Sequence, residues 1–302
     1  MNRPTLLAAA AALALIGAAA QPRTPQAAVD ELLAADRAAS AAAERTNLID
    51  GLTAMMAPDV AMPVPGRGFA DGVAAVRGEL QRDTLNASSR VSWTPIRGGI
   101  SADGLHGFTF GFVTVTRADG SLIGSKYLAY WVKGEAGWRV AAYRRNRRAS
   151  GATDLTMLAP SLPAALVAPN RDATAVAMLR ESVMQAERDF AKESQSVGLK
   201  AGFAKFGSAD AVNMGGANTP GFTLGNEAIA VAVSQGEPAT GGSSVDWGPD
   251  RALVATSGDL GVTIGFIWPN AEPAAGQTKP RFPFFTVWHR AGPGQPWRYI
   301  AE

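Results

Sequence analysis

His106 and His289 are the only imidazoles in a chain of 302 residues, and there is no cysteine. A metal centre needs three or four convergent donors, and a nucleophilic triad needs a histidine set between a hydroxyl and a carboxylate. The sequence shows neither pattern, so no metal and no cofactor are expected. His106 lies in the stretch Leu105-His106-Gly107-Phe108-Thr109-Phe110-Gly111-Phe112, where strand alternation puts it on one face with three phenylalanines. It is thus the one imidazole able to enter a pocket lined by that face, and the one candidate catalytic residue. An isolated strand histidine more commonly just satisfies its own hydrogen bonds. Asp59 and Asp210 stand at equivalent helix ends and read as capping or turn residues. Arg144, Arg145, Arg147 and Arg148 close a strand and read as a solvated face. Gly215-Gly216 and Gly241-Gly242 lack the spacing of a phosphate loop and read as turns.

The elements that must position these residues follow from composition and period. With 47% hydrophobic and 18% charged residues, the chain can bury sizeable cores, and its length suits two domains. Basic and acidic side chains number 28 and 26, a balance that gives no nucleic-acid surface. Residues 1–20 begin with Arg3, run apolar from Leu6 to Ile16 and end in Ala18-Ala19-Ala20. That is the pattern of a secretory signal peptide, so a periplasmic or secreted location is expected, with no stable membrane span after cleavage.

Helices are predicted over 27–45, after Asn47 to Pro58, and over 72–80. Strands are predicted over 90–96, 105–116, 121–132 and 138–143. Residues 149–172 contain Gly151, Pro160, Pro163 and Pro169 and read as a linker, whose leucines should hold it against a domain. From Ala173 the pattern restarts. Asp36 and Glu187, Leu52 and Phe203, and Asp59 and Asp210 all stand 151 positions apart. The offset then grows stepwise through Gly72 and Gly225, Trp93 and Trp247, Trp131 and Trp288, and Trp138 and Trp297, as loop insertions would make it. The chain therefore divides into residues 1–20, a domain at 27–148, the linker, and a second copy at 173–302. Residues 21–150 hold 16 basic and 12 acidic side chains and residues 151–302 hold 11 and 14. Opposite net charges would help the copies dock as an intramolecular pseudo-dimer.

Three helices followed by an antiparallel sheet, an acidic residue after the second helix, a glycine-led third helix and a closing tryptophan hairpin resemble the nuclear transport factor 2-like superfamily. This is the α+β cone fold of ketosteroid isomerase and the SnoaL-like cyclases. The resemblance implies two tandem cones, each with a pocket between helices and sheet. It places Phe108, Phe110, Phe112 and Tyr130 around the first pocket and Val262, Ile264, Phe266 and Val287 around the second. It also implies that the isomerase machinery is vacant. The position of that family's base falls in Ala61-Met62-Pro63-Val64-Pro65 and in Val212-Asn213-Met214-Gly215. Its tyrosine falls on Ser40 and Ala191, and its acid on Leu128 and Phe285. The expected function is binding of a small apolar or aromatic molecule without catalysis. The alternatives are an isomerase, dehydratase or cyclase using His106, and an interaction module with closed cones.

Overall fold

The computed structural model describes residues 23–238 and 240–302. The predicted signal peptide lies outside them, and no described helix is long and apolar enough to cross a membrane. The first half runs α1 (Pro25–Ala43), α2 (Leu48–Ala54), β1 (Met56–Val64), β2 (Gly68–Asp71), α3 (Val73–Gln81), β3 (Arg90–Ile100), β4 (His106–Thr116), β5 (Leu122–Gly134) and β6 (Gly137–Arg147). The second runs α4 (Ala173–Phe206), β7 (Gly207–Asn213), β8 (Thr223–Leu224), α5 (Asn226–Val233), β9 (Val245–Val254), β10 (Leu260–Pro269), β11 (Phe282–His289) and β12 (Arg298–Ala301). The sheets have orders β2-β1-β6-β5-β4-β3 and β8-β7-β12-β11-β10-β9, which are the same topology. The molecule is thus α+β with two domain-like halves.

Local chemistry explains the elements. Thr24 caps α1 by accepting from the Ala27 amide at 3.1 Å, and Asn47 caps α2 by accepting from Asp50 at 3.0 Å. Val29, Leu32, Leu33, Asp36, Ser40 and Ala43 recur at helical spacing and form the buried stripe of α1. In the second half the break between the first two helices shrinks to Gly198, whose φ of 83° interrupts α4. Gly72 and Gly225 precede α3 and α5 with φ of 83° and 85°. A side chain there would also meet the carbonyls of Pro58 and Ala209.

One prediction is corrected. A helix is expected from Asn47 to Pro58, with Asp59 at its end, yet the helix stops at Ala54 and residues 56–64 form strand β1. β1 pairs in parallel with β6 through a register break between Met56 and Ala61, so Pro58 falls where no ladder donor is needed. Asp59 therefore sits on a strand and caps nothing, as does Asp210 on β7.

Each half has a core between its helices and the inner face of its sheet. A third apolar cluster lies between the outer faces of the two sheets. It contains Phe108, Phe110, Phe112, Leu128 and Tyr130 from one half and Val262, Ile264, Phe285 and Val287 from the other. Polar contacts ring it. Arg97 binds the Asp210 carboxylate and the Ala159 carbonyl, while its counterpart Arg251 binds Asp71. At one end the β3–β4 and β9–β10 turns meet: the Ala102 amide donates to Asp259 at 2.9 Å and the Thr256 hydroxyl to Asp103 at 2.8 Å. The connecting segment lies along β3, with the Leu158 amide donating to Ile96 and Ser161 bonding Gly98 and Ile100.

Candidate functional site

The structure places the predicted lining residues away from both hollows. Phe108, Phe110, Phe112 and Tyr130 do share a face, as alternation requires, but it is the face covered by the other sheet. Val262, Ile264 and Val287 are its counterparts, and Phe266 packs on Phe69 at 5.3 Å between ring centroids. A strand pattern shows which residues go together, and only the fold shows whether helices or a second sheet cover them. His106 lies on the same face. Its Nδ1 is 2.8 Å from the Tyr130 hydroxyl, and desolvation lowers its pKa to about 4 against the pull of Asp103. It is neutral at ordinary pH and reaches neither hollow.

What enters the cones is a carboxylate from the first helix of each half. In the first half Asp36 is fully buried and accepts from Trp93 Nε1 at 2.5 Å and from the Tyr127 hydroxyl at 2.6 Å. Tyr127 stacks on Tyr143, and Trp131 donates to Thr109 at 2.8 Å. Burial raises the pKa of Asp36, opposed by those two donors. The remaining hollow of the first half, about 280 Å³, is lined by Leu52, Met62, Val115, Tyr143, Arg145 and Arg147 among others, and Asp36 does not reach it.

The second half keeps the arrangement and opens it. Glu187, the counterpart of Asp36, accepts from Thr263 Oγ1 at 2.5 Å, Trp247 Nε1 at 2.7 Å and Trp288 Nε1 at 2.9 Å. Phe284 stands where Tyr127 would be, so no tyrosine hydroxyl caps the carboxylate, and the Thr263 hydroxyl donates to it instead. Tyr143 is replaced by Glu302, the residue after β12, bonded by Asn213 Nδ2 at 2.7 Å. The result is a cavity of about 580 Å³ lined by Phe190, Leu199, Phe203, Trp247, Ile267 and Phe284, with Glu187, Asn213 and Glu302 as polar groups. Burial pushes Glu187 up, and burial with the nearby Glu187 charge pushes Glu302 up to about 7.

The cavity is completed from the other half. Arg144 and Asn146 of β6 reach its wall. Lys126 of β5 is buried and donates to Thr219 Oγ1 at 2.7 Å and to the carbonyls of Gly221 and Thr219 at 2.9 and 3.1 Å. It pins the loop whose Met214, Gly215, Gly216 and Thr219 form the rim. Desolvation, then the charge of Arg148, lowers its pKa to about 8.

In the sequence Asp36 and Glu187 stand out only as markers of the repeat. The overlooked signal was their position: an acidic residue on the apolar stripe of a helix, twice. Among the described residues no group of three histidine, cysteine or acidic side chains is placed to hold a metal. A carboxyl that titrates near neutrality inside an aromatic hollow can accept or give up a proton to a bound molecule.

No family model matches the chain, and no curated protein does. Solved structures similar to it include a protein of nuclear transport factor 2-like type with a cystatin-like fold from Novosphingobium aromaticivorans, at 18% identity and TM-score 0.33 over 41% of this chain and 83% of that one. A ketosteroid isomerase-like protein from Erwinia carotovora atroseptica is 18% identical, with TM-score 0.29 over 42% of this chain and 95% of that one. A Catenulispora acidiphila protein in complex with S-DNPA is 18% identical, with TM-score 0.32 over 39% and 91%. Each likeness covers about one half of the chain and concerns fold alone. The class that the topology defines is a tandem pair of α+β cones, as the sequence resemblance implied.

Proposed function

We propose that this is an exported binding protein whose second half takes a small, mostly apolar or aromatic molecule into the hollow between α4, α5 and its sheet. The aromatic cavity of about 580 Å³ carries this reading. The two halves act as an intramolecular pair in which the first supports the second, a reading favoured by the apolar cluster between the sheets. Export rests on the pattern of residues 1–20. Calorimetric titration with 2-naphthol tests the site: saturable binding to the native protein, lost in Val233→Trp, is expected. Val233 lines the cavity, and a thermal melt would show whether that variant is folded. No heat of binding, or binding indifferent to the tryptophan, would remove the proposal.

A second reading is acid-base chemistry on the bound molecule, favoured by Glu302 near pH 7. Carbon-13 NMR of labelled glutamate carboxyls should show one group titrating near 7 that disappears in Glu302→Gln. A spectrum in which every glutamate titrates below 5 excludes it.

A further inference from the structure

The cavity wall contributed by the first half carries a charge with no direct ion-pair partner among the described residues. β6 alternates beyond the point where its counterpart β12 ends: Tyr143, Arg145 and Arg147 line the hollow of the first half, while Arg144 and Asn146 line that of the second. In the ladder Arg144 stands opposite Leu128, a residue of the cluster between the sheets, so its side chain leaves the first half altogether. It is partly buried, and desolvation lowers its pKa from the ordinary arginine value. A guanidinium nevertheless keeps its charge at any accessible pH. Among the described residues no carboxylate lies within salt-bridge distance of it. A buried charge left without a counterion is costly, and such groups are found where a ligand supplies the counterion.

The acidic group whose charge acts on Arg144 is Glu302, which makes neither a hydrogen bond nor an ion pair with it. Glu187 is engaged by three donors and Glu302 by Asn213. Both carboxyls are held toward their neutral forms by burial. An aromatic cavity with one guanidinium that no carboxylate directly pairs selects an amphipathic anion. A planar carboxylate fits the guanidinium fork with two parallel hydrogen bonds.

We propose that the molecule bound in the second hollow is an apolar or aromatic monocarboxylate whose carboxylate is received by Arg144, delivered across the interface by the first half. This rests on the reading that the hollow binds a small molecule at all. It makes the tandem arrangement part of the site, since the second half alone would lack the anion receptor.

The test is calorimetric titration of the full chain at pH 6 with 2-naphthoate and with 2-naphthamide, which share a ring system and differ in charge. The native protein should prefer 2-naphthoate by at least tenfold. Arg144→Gln should abolish that preference and leave 2-naphthamide affinity within about twofold, and Arg144→Lys should keep part of it. Equal affinity of the native protein for the two probes, or equal weakening of both by Arg144→Gln, overturns the inference. If 2-naphthamide then still binds in a manner blocked by Val233→Trp, the hollow remains a binding site of another specificity. Failure of both probes to bind removes the inference and the binding reading together. Should Arg144→Gln not fold, the charge preference of the native protein and its attenuation in Arg144→Lys decide the matter.

Discussion

The two halves share one topology and differ by a few side chains at the heart of the cone. In the first, the Trp93 indole and the Tyr127 hydroxyl donate to Asp36 and Tyr127 stacks on Tyr143, leaving a hollow of about 280 Å³ that the carboxylate does not reach. In the second, phenylalanine replaces Tyr127 and glutamate replaces Tyr143. The carboxylate reaches past to two indoles and a threonine, and a cavity of about 580 Å³ opens beside it. The lesson is that two copies of one fold can differ through volume: removing a hydroxyl and exchanging a ring for a carboxyl accompanies a hollow about twice as large, bordered by the helix carboxylate. The first half also reaches across: Lys126 pins the rim of the second hollow and Arg144 lines its wall.

The comparison can be broken most easily at the buried carboxylates. Asp36→Ala strands the Trp93 and Tyr127 donors in a dry core and should cost about 3 kcal/mol in urea denaturation. Glu187→Ala borders the hollow, where water can replace the lost acceptor, and should cost about 1–2 kcal/mol. Equal losses would show that the two cones are equally closed.

The next largest effect falls on the pair of arginines between the halves. Arg97 is buried and holds both Asp210 and the connecting segment, so Arg97→Ala should destabilise by about 2–3 kcal/mol. Glu302 gives a pH signature. Its carboxyl is pushed up to about 7 in the folded chain, against an ordinary value of 4.5. The native state therefore binds more protons than the unfolded state in this range, and stability falls as pH rises from about 4.5 through about 7. Glu302→Gln should remove this slope and gain about 1–3 kcal/mol at pH 8, read from denaturation midpoints across pH. Tyr143 has no such slope to lose, since burial raises its pKa to about 12. The smallest effect is expected at Arg251, nearly half exposed beside Asp71, where Arg251→Ala should change stability by no more than about 0.5 kcal/mol.

Much of this was legible in the residues. The offset from Asp36 to Glu187, constant at first and then growing stepwise to Trp138 and Trp297, announced the duplication, and Asn47 and Gly72 announced helix starts found at Leu48 and Val73. Strand β1 was not legible, because Pro58 is a poor strand residue unless a register break removes the need for its amide hydrogen, and Pro63 lies beyond the β1–β6 pairs, opposite Phe69 of β2. The candidate site was legible only as a class. Phe108, Phe110 and Phe112 form an aromatic face, and the same pattern serves a pocket or a buried interface equally well.

By itself the sequence determined the repeat, the α+β order of elements and which side chains share a strand face, since these depend on spacing along one chain and on the periods of helix and strand. The tertiary structure decided which face meets helices and which meets the other sheet, that Glu187 and Glu302 border open volume while Asp36 does not, and that Arg144 belongs to its neighbour's hollow. Those outcomes depend on packing between segments from 57 to more than 100 residues apart, where a methylene or a hydroxyl settles whether space is filled, and no local pattern encodes that.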